Sequence, residues 1–217
     1  MEAQFWHDKW ASGKLGFHER AVNPWLAKYI DRLELTPGQT VFVPLCGKTV
    51  DVPWLLAKGF RVVGCELVES AIQALFSEND IRPEVDTVNA MKRYRAPMLE
   101  IYVGDFFDLD AQTLGGVHAI WDRAALVALP ADTRPKYAHH MAAVSECAQQ
   151  LLVTFNYDQN VTEGPPFSLN RDDVVGYYGD VYVVEELQRS ELEGGLKGWV
   201  PTVEEIWRLT AKIEKGS

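Results

Sequence analysis

The sequence predicts an α/β fold built on a parallel, doubly wound sheet. Three observations carry that expectation. Short apolar or β-branched runs alternate with helix-length segments along the 217 residues. Glycine and proline signals mark the points where segments begin and stop. Hydrophobic residues make up 47% of the chain, and no internal repeat, low-complexity tract or linker divides it, so residues 1–217 read as a single domain with one core.

The opening stretch FWHDKWASGKLGFHE is dense in aromatics. It sets Trp6 and Trp10 on one helical face before Gly13 and Gly16 break the pattern. A helix from about Asn23 to Leu33 follows, with Pro24 suited to a first helical position. After the turn signal TPGQ comes a strand over 40–45, then a helix over 50–59 that stops at Gly59. Residues 61–66 form the second strand and 70–78 the next helix. Residues 80–97, polar and bounded by Pro83 and Pro97, read as an irregular insertion. Strands are expected at 99–105, 117–122 and 150–156, with helices at 130–149 and 170–179. Segment 181–191 is a strand by composition. The stretch 202–214 stays open between helix and strand. Thr202 and Glu205 match a capping box, yet Ile206, Trp207 and Leu209 make no clean helical stripe, and Gly194-Gly195 suits a hairpin turn.

Charge narrows the function. A net charge of −10 argues against nucleic acid, whose phosphates require a basic face, and against docking on anionic membranes. A small-molecule substrate is the class that remains. The N-terminal MEAQFWHDKW lacks the pattern of a signal peptide, and no stretch approaches the roughly 20 apolar residues that span a bilayer. A cytoplasmic protein is therefore expected, with Cys46, Cys65 and Cys147 as reduced packing thiols. His139 and His140 are adjacent on a helix and not spaced for one face, so no metal site is expected.

The turn after the first strand, VFVPLCGKTVD, contains the Gly-Lys-Thr that ends a nucleotide-phosphate loop. The first glycine of such a loop would fall at Phe42, inside the strand, and Pro44 removes an amide from the cradle. A phosphotransferase is disfavoured on that ground. The other chemistry of a strand–turn–helix is a nucleoside site at the carboxyl ends of a doubly wound sheet. Gly47 allows close backbone approach, and Glu66 ends the second strand about 20 positions on, where an acid accepts the ribose hydroxyls. Asp105-Phe106 ends the third strand with an acceptor for an adenine amino group and a ring for its face. The glycine triplet of nicotinamide enzymes is absent, which disfavours a dehydrogenase.

Taken together, FWHDKWASGKLGFHE, FVPLCGKTVDVPWLLAKG, VVGCELVESAI, GDFFDL and IWDRAALVALP resemble the thiopurine S-methyltransferases, especially their bacterial members, from about residue 5 to the C-terminus. The resemblance implies a class I S-adenosylmethionine-dependent methyltransferase fold, Rossmann-like, with a seven-stranded, mostly parallel sheet and one antiparallel strand. It implies S-adenosylmethionine as donor and an aromatic or heterocyclic thiol or a selenol as acceptor, with selenium or tellurium detoxification and tellurite resistance as further uses. It also turns 205–212 into a strand, against the capping box.

By the same resemblance, residues 1–22 form an aromatic segment that covers the cofactor site and includes Trp10. Leu45, Glu66, Asp105, Phe106 and Arg123 become cofactor-binding residues, and Phe17, Pro165 and Pro166 line the acceptor pocket. No catalytic acid or base is expected. Displacement at a sulfonium methyl by a soft anion needs alignment and exclusion of water more than proton transfer. The expected partner is therefore a small thiol or selenol acting on a monomer. The alternative function is a cofactor-binding protein of the same fold without turnover, although nothing in the sequence looks degraded.

Overall fold

The computed structural model describes residues 3–13 and 19–212. The chain forms two compact units, residues 1–121 and 122–217.

The first unit opens with α1 (Ala3–Ser12), which buries none of its residues. Helix α2 (Pro24–Tyr29) starts as Pro24 predicts: the Asn23 side chain accepts the Trp25 N–H, and a 3₁₀ turn over Ile30–Leu33 completes the expected segment. Strand β1 (Thr40–Pro44) and helix α3 (Asp51–Ala57) follow, then β2 (Arg61–Glu66) and α4 (Glu69–Glu78). Next come β3 (Glu84–Val88), β4 (Met91–Ala96), β5 (Leu99–Val103), the short α5 (Ala111–Leu114) and β6 (Ala119–Asp122). Strand order is β3-β4-β5-β2-β1-β6, with β5, β2, β1 and β6 parallel. Every residue of β1 is buried, as in a strand covered on both faces. Strands β2 and β5 lie on one flank of β1 and β6 on the other, so the carboxyl end of β1 is a topological switch point, where such sheets bind ligands.

Residues 80–97 are not irregular. They form a hairpin, β3 with β4, whose β4 adds antiparallel to β5. Asp86 opposes Arg93 and Glu84 opposes Arg95 across the ladder, each as an ion pair. Those charges made the segment look like loop, because strand β3 stands at the edge with hardly any burial.

The second unit holds α6 (Arg134–Val144), β7 (Gln149–Asn156), α7 (Arg171–Tyr178), β8 (Tyr182–Glu191) and β9 (Val203–Ala211). Helix α6 stops well short of 149, because Glu146 and Cys147 both take left-handed backbone. Residues 202–214 resolve as strand: β9 lies between β7 and β8, antiparallel to both. Strands β7 and β8 pair along both of its edges, and Ile206, Trp207 and Leu209 are all buried, so both faces are covered and the spacing is neither helical nor alternating. Thr202 uses its hydroxyl on the Val200 carbonyl, so no capping box forms there. Nine strands are thus present among the described residues where seven were expected. Two of them, β4 and β9, run antiparallel to their neighbours where one was expected.

One buried carboxylate ties the first unit together. Asp51, at the start of α3, accepts the Asn23 backbone N–H on Oδ1 and the Trp121 Nε1–H on Oδ2, both at 2.8 Å. An amide at this position can accept only one of those bonds and turns a donor toward the other. Asp51→Asn is therefore expected to lower stability by about 2 kcal/mol, read from urea unfolding. A loss below about 0.5 kcal/mol would show that neither bond matters to the fold.

Candidate functional site

Glu66 organises the carboxyl edge of the first unit. Its buried carboxylate accepts the Gly47 N–H on Oε2 at 2.8 Å and the Val68 N–H on Oε1 at 2.9 Å. Burial pushes its pKa up, and the amides of Val68, Gly47 and Leu67 pull it back by favouring the charged form. The turn after β1 is thereby fastened to the end of β2. Cys46 adds a second tie, donating its N–H to the Cys65 carbonyl at 3.0 Å. Leu45 takes a left-handed φ of 46° and Gly47 one of 50°; the conformation is costly for leucine and natural for glycine.

This geometry decides the phosphate-loop question. The amides of Cys46 and Gly47 are spent on β2, and the Lys48 ammonium pairs with Glu78 at the end of α4. No cradle of amides with a lysine over it is left for a triphosphate. Gly47 instead seats an aromatic ring: a Cβ built on it would stand 2.8 Å from Cζ2 of Trp10. Trp10, Leu45 and Glu66 are thus gathered at the switch point.

The end of β5 joins them through Gly104, whose N–H donates to the Glu66 carbonyl at 2.9 Å. Asp105 follows, exposed, and caps a 3₁₀ turn over Phe106–Asp108 by accepting the Phe107 N–H. Phe106 lies beneath, buried and stacked on Phe42 with ring centroids 6.3 Å apart. The ring exposed at this edge is the next one, Phe107. The sequence points to Phe106, which is the buried ring of the pair. The cap that Asp105 makes sets which ring turns inward, and that could not be read from GDFF alone.

Asp122 is the last residue of β6, and Arg123 follows it. Asp122 is fully buried and accepts the Leu126 N–H on Oδ1 at 3.1 Å and the Tyr137 hydroxyl on Oδ2 at 2.8 Å. These bonds fix the turn that carries Arg123, which is half-buried, and Ala124, whose φ is 63°. Burial dominates the titration of Asp122 and pushes its pKa up to about 6. Neither Asp122 nor its partner Tyr137 was singled out from the sequence for a role here, because nothing in a strand-ending aspartate tells whether it is buried.

Pro165 and Pro166 sit in a loop tied to that same turn. The Phe167 N–H donates to the Val127 carbonyl, and the Arg134 guanidinium lies 5.1 Å over the Phe167 ring. Tyr157 donates its hydroxyl to the Pro166 carbonyl at 2.7 Å. Gln159 holds the Tyr157 hydroxyl, the Thr162 carbonyl and the Ser168 N–H at once. The second unit therefore brings the Arg123 turn and the two prolines onto one braced segment. Phe17 lies outside the described residues. Among the described residues, no three His, Cys, Asp or Glu side chains converge as metal ligands, and no helix is long and apolar enough to cross a membrane.

Comparison with known proteins places this geometry in context. A family model described as Thiopurine S-methyltransferase matches residues 1–210. The chain is 50% identical over 210 residues to the thiopurine S-methyltransferase of Xanthobacter autotrophicus, covering 96% of this chain and 99% of that relative. It is 47% identical over 213 residues to that of Teredinibacter turnerae, covering 98% and 99%. Among solved structures it is similar to the 1,6-didemethyltoxoflavin-N1-methyltransferase of Burkholderia thailandensis with bound 1,6-didemethyltoxoflavin and S-adenosylhomocysteine. That match has a TM-score of 0.65 at 14% identity and covers 96% of this chain and 87% of that one. A SAM-dependent methyltransferase from Anabaena variabilis gives a TM-score of 0.63 at 14% identity, covering 97% and 95%. At such identity these two matches speak to the fold, which is the class I methyltransferase fold.

The buried Asp122 yields a pH test. Its folded pKa of about 6 lies above the usual value of 3.8, so the folded state holds the proton more tightly than the unfolded state. The resulting stability is fully present below about pH 4 and is lost as pH rises through about 6. The stability difference between the protein and its Asp122→Asn variant is therefore expected to fall by about 3 kcal/mol between about pH 4 and pH 7. Urea unfolding across that range measures it, and a flat difference would rule the titration out.

Proposed function

This chain belongs to the thiopurine S-methyltransferase family, and we propose from that premise that it methylates the sulfur of thiopurines and other aromatic or heterocyclic thiols, with S-adenosylmethionine as donor. The single observation that carries the reading is the length of the match: relatives of that name align over 96% and 98% of the chain. On the same ground residues 1–217 are taken as one methyltransferase domain, working in the cytoplasm as a monomer. Selenols and tellurium species are further acceptors on the same chemistry, because their anions are softer nucleophiles still. Detoxification is the use that chemistry suits.

The carboxyl edge of the first unit fits the donor. Both Glu66 oxygens accept backbone amides, and the carboxylate has lone-pair capacity beyond them for a ribose hydroxyl. Gly47 lets the backbone come close, and the left-handed Leu45 turns the chain away from β1 at that point. Trp10 covers Gly47 from above, and Asp105 with Phe107 supplies an acceptor and a ring for adenine, Phe106 serving as the floor. Arg123 offers a guanidinium for the donor's carboxylate or for an anionic acceptor. Pro165 and Pro166 wall the acceptor with apolar surface suited to a flat heterocycle.

When bound, S-adenosylmethionine supplies a methyl carbon on a cationic sulfur; the acceptor thiolate's electron pair forms the new C–S bond as the old one breaks, and neutral S-adenosylhomocysteine leaves. No residue of the chain has to move a proton once the acceptor is ionised. The protein's share is alignment along the line of displacement and exclusion of water.

Calorimetry with S-adenosylhomocysteine and assays with a thiopurine, benzenethiol and benzeneselenol test the proposal. Tight binding and methyl transfer to all three are expected. Glu66→Ala is expected to weaken binding by about 100-fold, through lost ribose contacts and a loosened Gly47 turn. Gly47→Ala, whose methyl would displace Trp10 at a strained φ, is expected to weaken it by about tenfold. Intact binding with no transfer to any of the three acceptors would overturn the catalytic reading. Wild-type affinity in both variants would overturn the placement of the donor.

A further inference from the structure

The loop between β8 and β9 is built as carefully as an element. Leu196 and Val200 exchange backbone hydrogen bonds at 2.8 and 2.9 Å and are both buried. Gly195 packs so closely that an added Cβ would stand 2.4 Å from the Val200 carbonyl oxygen. Leu192 donates to the Thr202 carbonyl and closes the base of the loop. At its tip Lys197 takes left-handed backbone, with a φ of 55° that a lysine does not favour. The side chain this presents is exposed, and its ammonium has partners. It donates to Thr162 Oγ1 at 2.9 Å and to the Glu163 carbonyl at 2.5 Å.

Those two acceptors immediately precede Gly164-Pro165-Pro166. The far side of the same loop is fixed by Tyr157 on the Pro166 carbonyl and by Phe167 on Val127 and Arg134. On the near side, Gln159 reaches the Thr162 carbonyl, and Lys197 supplies the tie from outside the loop. An ammonium is a point donor with three protons, able to hold two oxygens of one short segment together. The strained tip, the rigid base and the double bond to one segment all serve a single placement.

We infer that Lys197 is a positioning residue for the methyl acceptor: it clamps residues 162–163 and so sets where Pro165 and Pro166 stand. The inference rests on the proposed reading of those prolines as acceptor wall. Lys197 touches neither donor nor acceptor in this assignment. It acts through the loop, so that the β8–β9 hairpin tunes which thiols are accepted.

The test compares Lys197→Met, which keeps the stem and loses the ammonium, with Lys197→Arg and with Pro166→Ala. Lys197→Met is expected to raise the KM for a thiopurine about five- to tenfold while leaving kcat and the KM for S-adenosylmethionine within about twofold. Amides of residues 161–164 are expected to exchange with solvent faster by a similar factor, in the protein without ligands. Lys197→Arg restores both, since its guanidinium reaches the same two oxygens. Pro166→Ala raises the acceptor KM independently of the clamp. An unchanged acceptor KM in Lys197→Met beside a raised one in Pro166→Ala overturns the clamp alone, whatever the exchange rates. An unchanged KM in both overturns the acceptor-wall reading, and the clamp falls with it. A loss of kcat and of both KM values together in Lys197→Met, unrescued by arginine, marks general destabilisation and also overturns the inference.

Discussion

The Glu66 carboxylate is the constraint on which the functional edge depends. A charge buried at the end of a β-strand is stable only if donors surround it. Here the donors are backbone amides from two different turns, those of Gly47 and Val68. Meeting that demand holds the turn after β1 against the end of β2. Because Cys46 is tied to Cys65 in the same way, Leu45 is left to absorb the left-handed conformation. The Gly104 N–H on the Glu66 carbonyl extends the arrangement to β5 and sets where Asp105 begins its cap. Trp10, Gly47, Glu66 and Asp105 come from four separate stretches of sequence, and Glu66 ties three of the turns that carry them, two through its carboxylate and the third through its backbone carbonyl.

The second unit uses the same device for a different end. Asp122 is buried and satisfied by Leu126 and Tyr137, and it shapes the turn that presents Arg123. The two acids differ in what their surroundings leave open. Glu66 retains lone pairs at the ligand edge, whereas Asp122 faces inward to Tyr137 and toward the buried Tyr178, whose own pKa is raised by burial and by the Asp122 charge. One carboxylate is suited to meet hydroxyls of a ligand; the other is suited to brace a loop. Neither is placed as a general base, which agrees with a reaction whose donor carries its own leaving group.

Much of this was legible in the sequence. The parallel strands announced themselves because burial on both faces makes them continuous apolar runs. Pro24 and Gly59 marked helix ends for local reasons that tertiary contacts did not override. Glu66 could be found by its spacing from the first turn. What resisted reading was set by contacts distant in sequence. Strand β9 became visible only through two neighbours, and the hairpin β3–β4 was hidden by charges that pair across its own ladder. Helix α6 ended early at Glu146 and Cys147, where no glycine announces a left-handed stop. Phe106 and Phe107 are chemically alike, and only the cap by Asp105 tells them apart. Lys197 meets its partners from 35 residues away, so no local pattern marks it.

The two sides of the proposed reaction are held by different means. Helix α1 fully buries none of its residues, with Phe5, Trp6 and Trp10 half-buried. The edge of its Trp10 ring lies close against Gly47. The loop carrying Pro165 and Pro166 is gripped by Tyr157, Gln159, Phe167 and Lys197 from several directions. In the proposed reading Trp10 lies over the donor site as an aromatic cover. An acceptor that must meet a methyl carbon in line needs a wall that does not give, because misplacement by a fraction of an ångström is costly in rate. The hydrogen bonds on the proline loop suit that demand.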